Sequence, residues 1–333
     1  MKFVEPLLAW YAASHRDLPW RRTQDPYAIW VSEIMLQQTR VAAVVPYYER
    51  FLLAYPTVTA LAQAQDEQLF KLWQGLGYYT RARNLKRAAQ CVIEKHAGVM
   101  PHTYETLLTL PGIGSYTAAA IASIAFSERV PAVDGNVLRV FARLFDDDGD
   151  VTLPATKRRV FDALLAAFPK DAGACNQALM ELGACVCVPN GTPLCDACPL
   201  AACCLAKQNG TVALRPVKTP KRKRTVVFMT VFVLRCGERF LVRKRPDSGL
   251  LASLYELPNV TGTRNAEEIQ SAWTAMGVHP VGDITLFARK HIFTHIEWQM
   301  QVVTTEISDA LPAGWVWYDG SQSLPTAFSV CLS

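Results

Sequence analysis

The sequence predicts two unlike domains in one chain of 333 residues: an all-helical domain over 1–205 and a smaller α+β domain over 225–333. Three observations carry this. From Phe3 to about Glu181 apolar residues recur at helical spacing, as in Val41, Val44, Val45, Tyr48, Phe51, Leu52 and Tyr55. After Thr225 the period falls to two, in T-V-V-F-M-T-V-F-V-L-R, R-F-L-V-R-K-R-P and W-Q-M-Q-V-V-T-T-E, all rich in β-branched residues. Between the two regimes, 206–224 holds two prolines, many basic residues and no acids, and reads as a linker. Its charge can track phosphates or simply solvate a tether.

The apolar periods place helices near 3–14, 28–38, 40–55, 66–74, 79–96, 103–109, 115–126, 135–145, 156–168 and 173–184, joined by Pro, Gly and Thr-rich turns. One helix is expected in the second domain, at Ala266 to Met276. Half the residues are hydrophobic, 19% are charged and the formal net charge is +5, the profile of a soluble globular protein. No segment approaches the roughly twenty apolar residues of a membrane span. Glu5 and Pro6 interrupt the start of the chain, which is therefore not expected to be a secretory signal. The basic excess is compatible with nucleic acid without demanding it.

Leu110 to Gly114 read L-P-G-I-G, and Asp134 follows in V-D-G-N-V after an alanine-rich segment. Glycines lift the side-chain block on positive φ and Pro111 fixes the entry, so the peptide N–H groups of this turn can face an anion such as a duplex phosphate. Ser115 is expected to cap the following helix, whose positive end adds to the attraction. Alone, the motif is equally an ordinary turn between helices. Asp134 and the cysteines tip the balance.

Seven of the ten cysteines fall between Cys175 and Cys204, in a long chain rather than a small secreted one, which points to a metal in a reducing cytosol. Cys187, Cys195, Cys198 and Cys204 form C-x7-C-x2-C-x5-C in a loop marked by Pro189, Gly191, Pro193 and Pro199. Such spacing serves tetrahedral zinc or an iron–sulfur cluster equally. Cys185 competes with Cys187 as the first ligand. Cys91, Cys175, Cys236 and Cys331 are expected to be small buried apolar residues.

Glu33 stands among Trp30, Ile34, Met35 and Leu36, where desolvation would raise its pKa and suit it to general-acid work near neutral pH. The local pattern alone favours a solvent-facing helix glutamate. Asp134 can be an N-cap that stays ionised and faces a developing cation. Glycosidic cleavage needs such a pair, an acid for the leaving group and an anion for an oxocarbenium-like sugar, set around a flipped-out nucleoside.

L-P-G-I-G, V-D-G-N-V and the four-cysteine loop, in this order, resemble the helix-hairpin-helix DNA glycosylases that carry an iron–sulfur cluster. With L-P-W-R, W-V-S-E-I-M-L-Q-Q-T, W-Q-G-L-G-Y-Y-T-R-A-R-N-L, F-T-H and L-P-T-A-F, nearly the whole chain resembles the adenine DNA glycosylases, the MutY family. The resemblance implies a helical barrel module at about 28–132, a cluster module of 1–27 plus 133–205, a 4Fe-4S cluster, and a MutT-like (Nudix-fold) lesion-recognition domain at 225–333. It implies excision of adenine opposite 8-oxoguanine in double-stranded DNA by a cytoplasmic, nucleoid-associated bacterial monomer that engages no membrane. Glu33 would protonate adenine at N7 and Asp134 would stabilise the oxocarbenium ion. Bifunctional relatives place a nucleophilic lysine where Tyr116 stands, so a monofunctional enzyme is expected, with Tyr116 hydrogen-bonding near Asp134.

Arg16, Leu18, Arg21 and Gln177 match family positions around the adenine, and Asn136 one that supports the catalytic pair. Gln38 and Tyr78 match residues that wedge into the duplex, with Gln37 and Thr39 beside the first and Gly112 and Gly114 on the backbone phosphate. Phe293, Thr294 and His295 match the loop that reads 8-oxoguanine, with threonine where serine is usual. The segment S-G-L-L-A-S-L-Y-E-L-P echoes a nucleotide-hydrolase motif, but the R-E-x-x-E-E helix is absent and a pyrophosphohydrolase is excluded. An endonuclease III-like glycosylase/lyase for oxidised pyrimidines shares the hairpin, aspartate and cluster; Tyr116 and the second domain argue against it. A DNA-binding iron–sulfur protein without catalysis would leave Glu33 unexplained.

Overall fold

The computed structural model describes residues 2–220 and 223–332. The chain forms two compact units, Met1–Ala64 with Arg83–Pro220, and Gln65–Ala82 with Lys221–Ser333. Helices run α1 Val4–Ser14, α2 Pro26–Leu36, α3 Val41–Ala54, α4 Val58–Ala62, α5 Asp66–Trp73, α6 Thr80–His96, α7 Tyr104–Leu107, α8 Ser115–Phe126, α9 Gly135–Leu144, α10 Pro154–Ala167, α11 Ala172–Cys185 and α12 Leu205–Gln208.

At the centre of the first unit α2 packs on α8, and α11 packs on α1, α8 and α9. Helix α2 is buried on every side from Tyr27 to Met35. Nine residues with only Ser32 and Glu33 polar leave no face for solvent, and Ser32 returns its hydroxyl to the Ile29 carbonyl at 2.7 Å. Full burial of Trp30, Val31 and Met35 stabilises by about 2 kcal/mol each. The helix starts two residues before its expected position because Asp25 caps it, accepting from the Tyr27 N–H, with Pro26 in the first turn. It ends at Leu36, where Gln37 leaves helical dihedrals and Gln38 takes φ +58°. Helix α4 has no counterpart in the sequence reading, since five residues are too few to display a helical period.

The hairpin joins α7 to α8. Gly112 adopts φ +75°, and a Cβ there would lie 2.6 Å from Asn84 Cβ, so both backbone and space require glycine. Two expectations need correction. Gly114 is extended at φ −91°, within reach of any residue, and it is the N-cap itself; Ser115 is the first residue of α8 and caps nothing.

The stretch 206–220, read from sequence as a linker, is instead fastened to the first unit. Arg143 donates to the carbonyls of Val212 and Arg215, Arg215 pairs with Asp146 at 2.9 Å, the Val151 N–H donates to the Val217 carbonyl, and the Thr219 N–H donates to Asp150. Buried Arg143 and the acids of 146–150 supply the partners that the basic composition concealed. Lys221 and Arg222 lie outside the described residues.

The second unit is built on a sheet of β1 Thr225–Cys236, β2 Arg239–Lys244, β3 Tyr255–Glu256, β4 Asn259–Thr261, β5 Thr285–Ile292, β6 Ile296–Glu306 and β7 Val316–Trp317, with α13 Ala266–Met276 and α14 Thr326–Ser329. Its order is β3-β2-β1-β6-β5, with β4 on β1 and β7 on β2; β1 and β6 run parallel. Strand β1 is apolar on both faces because both are covered. Met229, Val231 and Val233 pack with Phe328 of α14, while Phe232 and Leu234 pack with Ile269 and Trp273 of α13. Helix α13 occupies its expected residues, held by an Asn265–Glu268 capping box. Residues 65–82 belong to this unit, with Lys244 3.4 Å from Glu67.

Candidate active site

A cavity of about 500 Å³ opens in the first unit, lined by residues of α2, α8, α11, the N-terminus of α9 and the loop after α1. Glu33 and Asp134 both reach it. Glu33 is 5% exposed, placed by the all-round burial of α2. Burial pushes its carboxyl up to about 7; the Tyr116 hydrogen bond works against this and the Asp134 charge with it. Tyr116 donates to Glu33 Oε2 at 2.6 Å and lies 3.0 Å from Met180 Sδ. Tyr116 thus hydrogen-bonds in the cavity it shares with Asp134, and its partner there is the glutamate. Burial holds the phenol protonated far above neutral pH.

Asp134 caps α9. Its Oδ1 accepts from the Val137 N–H at 2.7 Å and its Oδ2 from Asn136 Nδ2 at 2.7 Å. Burial raises its pKa, and these bonds oppose the rise. The amide of Asn136 is oriented in turn by Arg139, which donates to Asn136 Oδ1 at 2.9 Å and to the carbonyls of Gly183 and Cys187. Gly183 has no Cβ, and one placed there would lie 2.6 Å from Asn136 Cβ; its absence lets α11 meet the start of α9. The loop before Asp134 is pinned by buried Asn176, which accepts from the Ala132 N–H and donates to the Val130 carbonyl and to Ser123.

Sequence reasoning missed Asn176, and it missed Glu181. The latter is buried on α11 and receives Arg16 Nε at 2.7 Å, Arg16 Nη2 at 2.6 Å and Arg21 Nη2 at 2.7 Å. Burial alone would raise its pKa; the two guanidiniums hold it well below the usual carboxylate range. The available signal was its place one turn after Gln177, on the same helix face.

The structure brings Arg16, Leu18, Arg21, Gln177, Tyr116, Asn136, Gln37, Gln38 and Thr39 to this one cavity with Glu33 and Asp134. Gln37 donates to Thr117 Oγ1 at 3.3 Å, and Gln38 is exposed in its left-handed conformation. Gly112 and Gly114 do not line the cavity; they form the exposed hairpin turn. In the second unit Tyr78 is 47% exposed with φ +49°, its loop braced by Arg81, which donates to the carbonyls of Leu76 and Gly77. Its hydroxyl lies 3.1 Å from Thr294 Oγ1. Thr294 and His295 are exposed at the β5–β6 turn, whereas the Phe293 ring packs on Trp298 at 4.9 Å. Gln38 and Tyr78 are thus exposed non-glycine residues held at positive φ, a strain that proteins retain where function needs it.

Cys187, Cys195, Cys198 and Cys204 line one small cavity with Arg143 and Lys207, and all four are free thiols. Cys185 is outside it. The lining of that cavity offers four thiols and no acidic or His side chain, a donor set that suits an iron–sulfur cluster as well as tetrahedral zinc. Arg143 lies 3.3 Å from Cys187 Sγ, a cation ready to balance thiolate charge. Of the cysteines expected in the core, Cys175 and Cys331 are buried; Cys91 and Cys236 are only partly so.

Comparison with known proteins gives matches over both units. Residues 31–168 match the HhH-GPD superfamily base excision DNA repair protein, and 230–331 a NUDIX domain. An adenine DNA glycosylase of Rattus norvegicus is 35% identical over 93% of this chain and 72% of its own length. One from Mycobacterium tuberculosis is 45% identical over 59% of this chain and 65% of its own length. Among solved structures, a thermostable thymine-DNA glycosylase aligns with a TM-score of 0.58 and 30% identity, covering 62% of this chain and 96% of that one. The fold of an endonuclease III in a trapped DNA covalent intermediate aligns at 0.53 and 24% identity, covering 63% and 95%.

Proposed function

From the premise that the chain belongs to the adenine DNA glycosylase family, DNA glycosylases of base excision repair, we propose that it excises adenine paired with 8-oxoguanine in double-stranded DNA and leaves an abasic site. The observation that carries this is a buried acid titrating near neutrality beside a capped aspartate, in a cavity large enough for a purine. With its carboxyl pushed up to about 7, Glu33 can carry a proton near neutral pH and donate it to N7. Electrons of the bond from C1′ to N9 then move into the base, and Asp134 faces the oxocarbenium ion left on the sugar. The deprotonated Glu33 takes a proton from the water that adds at C1′, closing the cycle. Tyr116 cannot form the imine a lyase needs, and its phenol serves to hold Glu33.

Gln38 and Tyr78 fit a wedge role in the opened duplex, and the Gly112–Gly114 turn with the α8 N-terminus fits a phosphate. Thr294, exposed and sharing a hydrogen bond with Tyr78, fits a reader of the N7–H that distinguishes 8-oxoguanine. Cys187, Cys195, Cys198 and Cys204 would hold a 4Fe-4S cluster. Bound there, it would supply iron–thiolate bonds that fix the loop of 187–204 and neutralise part of the charge facing Arg143.

The test is a duplex with one adenine opposite 8-oxoguanine, incubated with wild type or Glu33→Gln and then treated with alkali. Strand scission only after alkali, and only with wild type, is expected; an inert wild type or an active Glu33→Gln overturns the reading. Thr294→Ala is expected to lower the preference for 8-oxoguanine over guanine.

A further inference from the structure

Tyr11 of α1 is absent from the cavity wall, yet it touches two residues that form that wall. Its hydroxyl donates to Gln177 Oε1 at 3.1 Å, and the Arg21 guanidinium carbon lies 5.5 Å from its ring centroid. The ring is itself held by stacking on His15 at 4.7 Å, and His15 Nδ1 lies 2.8 Å from the Tyr11 carbonyl. Burial keeps the phenol protonated, so toward Gln177 it can act as donor.

In the structure this contact decides which end of the amide is left for the cavity. A glutamine amide can present either its oxygen or its nitrogen to a cavity, and a base reads the two oppositely. With Oε1 engaged by Tyr11, the Gln177 Nε2 is the end left over, and among the described residues it has no hydrogen-bond partner. The neighbouring polar groups do not offer an acceptor in its place. Glu181 is filled by Arg16 and Arg21, and Arg21 Nη1 is engaged with the Arg16 carbonyl at 3.0 Å. Around Gln177 these acceptors are therefore already taken.

We propose that Tyr11 is a positioning residue for base discrimination: by engaging Gln177 Oε1 it turns the amide N–H groups toward the base, where they select a purine edge whose ring nitrogen is an unprotonated acceptor. The inference rests on the adenine reading above and extends it to a residue outside the wall. Adenine has a bare N1. Hypoxanthine has nearly the same shape but carries a proton on N1 and an oxygen at position 6, so an amide donor meets a donor. Without the Tyr11 hydroxyl the amide is free to turn its oxygen inward and accept that proton.

The experiment measures single-turnover excision of adenine and of hypoxanthine, each opposite 8-oxoguanine, by wild type and Tyr11→Phe. Phenylalanine retains the ring that stacks on His15 and lies near Arg21. Losing the fixed orientation is expected to raise the hypoxanthine-to-adenine rate ratio about three- to tenfold, as one net hydrogen bond is worth. In a Gln177→Glu background, where both side-chain oxygens are acceptors, Tyr11→Phe is expected to leave the ratio unchanged. An unchanged ratio in the Gln177 background, or equal loss on both substrates as a purely structural role would give, overturns the proposal. A wild type inert on adenine overturns the adenine reading and this inference together, and is distinguished from those outcomes by failing before any variant is compared.

Discussion

Removing the Tyr116 hydroxyl should move the pH profile of excision without removing the acid. Glu33 titrates near 7 as the balance of burial, which raises its pKa, and of the 2.6 Å bond from Tyr116, which favours the carboxylate. A hydrogen bond to a charged group contributes about 1.5–3 kcal/mol. At about 1.4 kcal/mol per pKa unit, its loss in Tyr116→Phe raises Glu33 by roughly one to two units. The sign for the rate follows from the role. The acid acts protonated, so activity is lost as pH rises through its pKa, and the alkaline limb should move from near 7 in wild type to roughly 8–9 in the variant. The assay is single-turnover release of adenine from a duplex bearing 8-oxoguanine, followed across the neutral and alkaline range. The plateau rate is free to fall, because Tyr116 also braces the geometry, so the position of the limb is what decides. An alkaline limb that stays in place, or moves to lower pH, refutes the assignment of that limb to Glu33 and of its poise to Tyr116.

Three further perturbations probe other parts of the molecule. Glu181→Gln strands two guanidiniums on a buried neutral amide and should cost about 3 kcal/mol at pH 7, measured by denaturant unfolding. Because the folded-state pKa of Glu181 is depressed, its stabilisation is present above the unfolded value near 4.5 and is lost as pH falls, so the gap between wild type and variant should close in acid. Gly112→Ala should destabilise by about 1–2 kcal/mol from its left-handed backbone, with a further penalty for displacing Asn84, while Gly114→Ala, with open space around its Cβ, should melt like wild type yet bind duplex DNA more weakly. Cys187→Ser should abolish the visible absorption of the purified protein and Cys185→Ser should preserve it, since only Cys187 shares the cavity with the other three thiols.

What could be read from the sequence follows from how local each determinant is. Helix α2 and strand β1 were legible from their apolar periods, of helical spacing and of two, whereas the burial of Glu33 was not, since the local pattern also fits a solvent-facing glutamate. Helix α13 kept its expected residues because its capping box and Gly277 sit next to it in sequence. Short elements such as α4 and β7 span less than the window in which a period can be counted. The partner of Tyr116 was hidden for a different reason. Glu33 and Tyr116 lie 83 residues apart, and only the packing of α2 on α8 decides which carboxyl the phenol meets. Glu181 and Asn176 were invisible because a polar residue on a mostly apolar helix looks the same whether it faces water or is buried and fully bonded. Fifteen residues of basic character at 206–220 looked untethered, because their anchors are Arg143, Asp146 and Asp150, far upstream.

The two carboxyls of the cavity differ in environment more than in chemistry, and in the proposed mechanism that difference divides their labour. Glu33 projects from the middle of a buried helix, where the backbone N–H groups are already spent in the helix, so the Tyr116 phenol, with the Arg21 charge, is left to stabilise its carboxylate. Asp134 sits at a helix start, where backbone N–H groups are unspent; it collects the Val137 N–H and the Asn136 amide, with Arg139 behind them. Burial raises the pKa of both acids, and at the N-cap the Val137 N–H and the Asn136 amide oppose that rise for Asp134. Negative charge on Asp134 in turn favours the proton on Glu33. When that proton passes to a base, the repulsion that Asp134 exerted on a second negative charge is offset by attraction to the positive charge appearing on the sugar. In the proposed mechanism the same anion thus favours the acid before bond cleavage and the cation after it, a role that suits one buried glutamate and one capped aspartate better than two equivalent carboxylates.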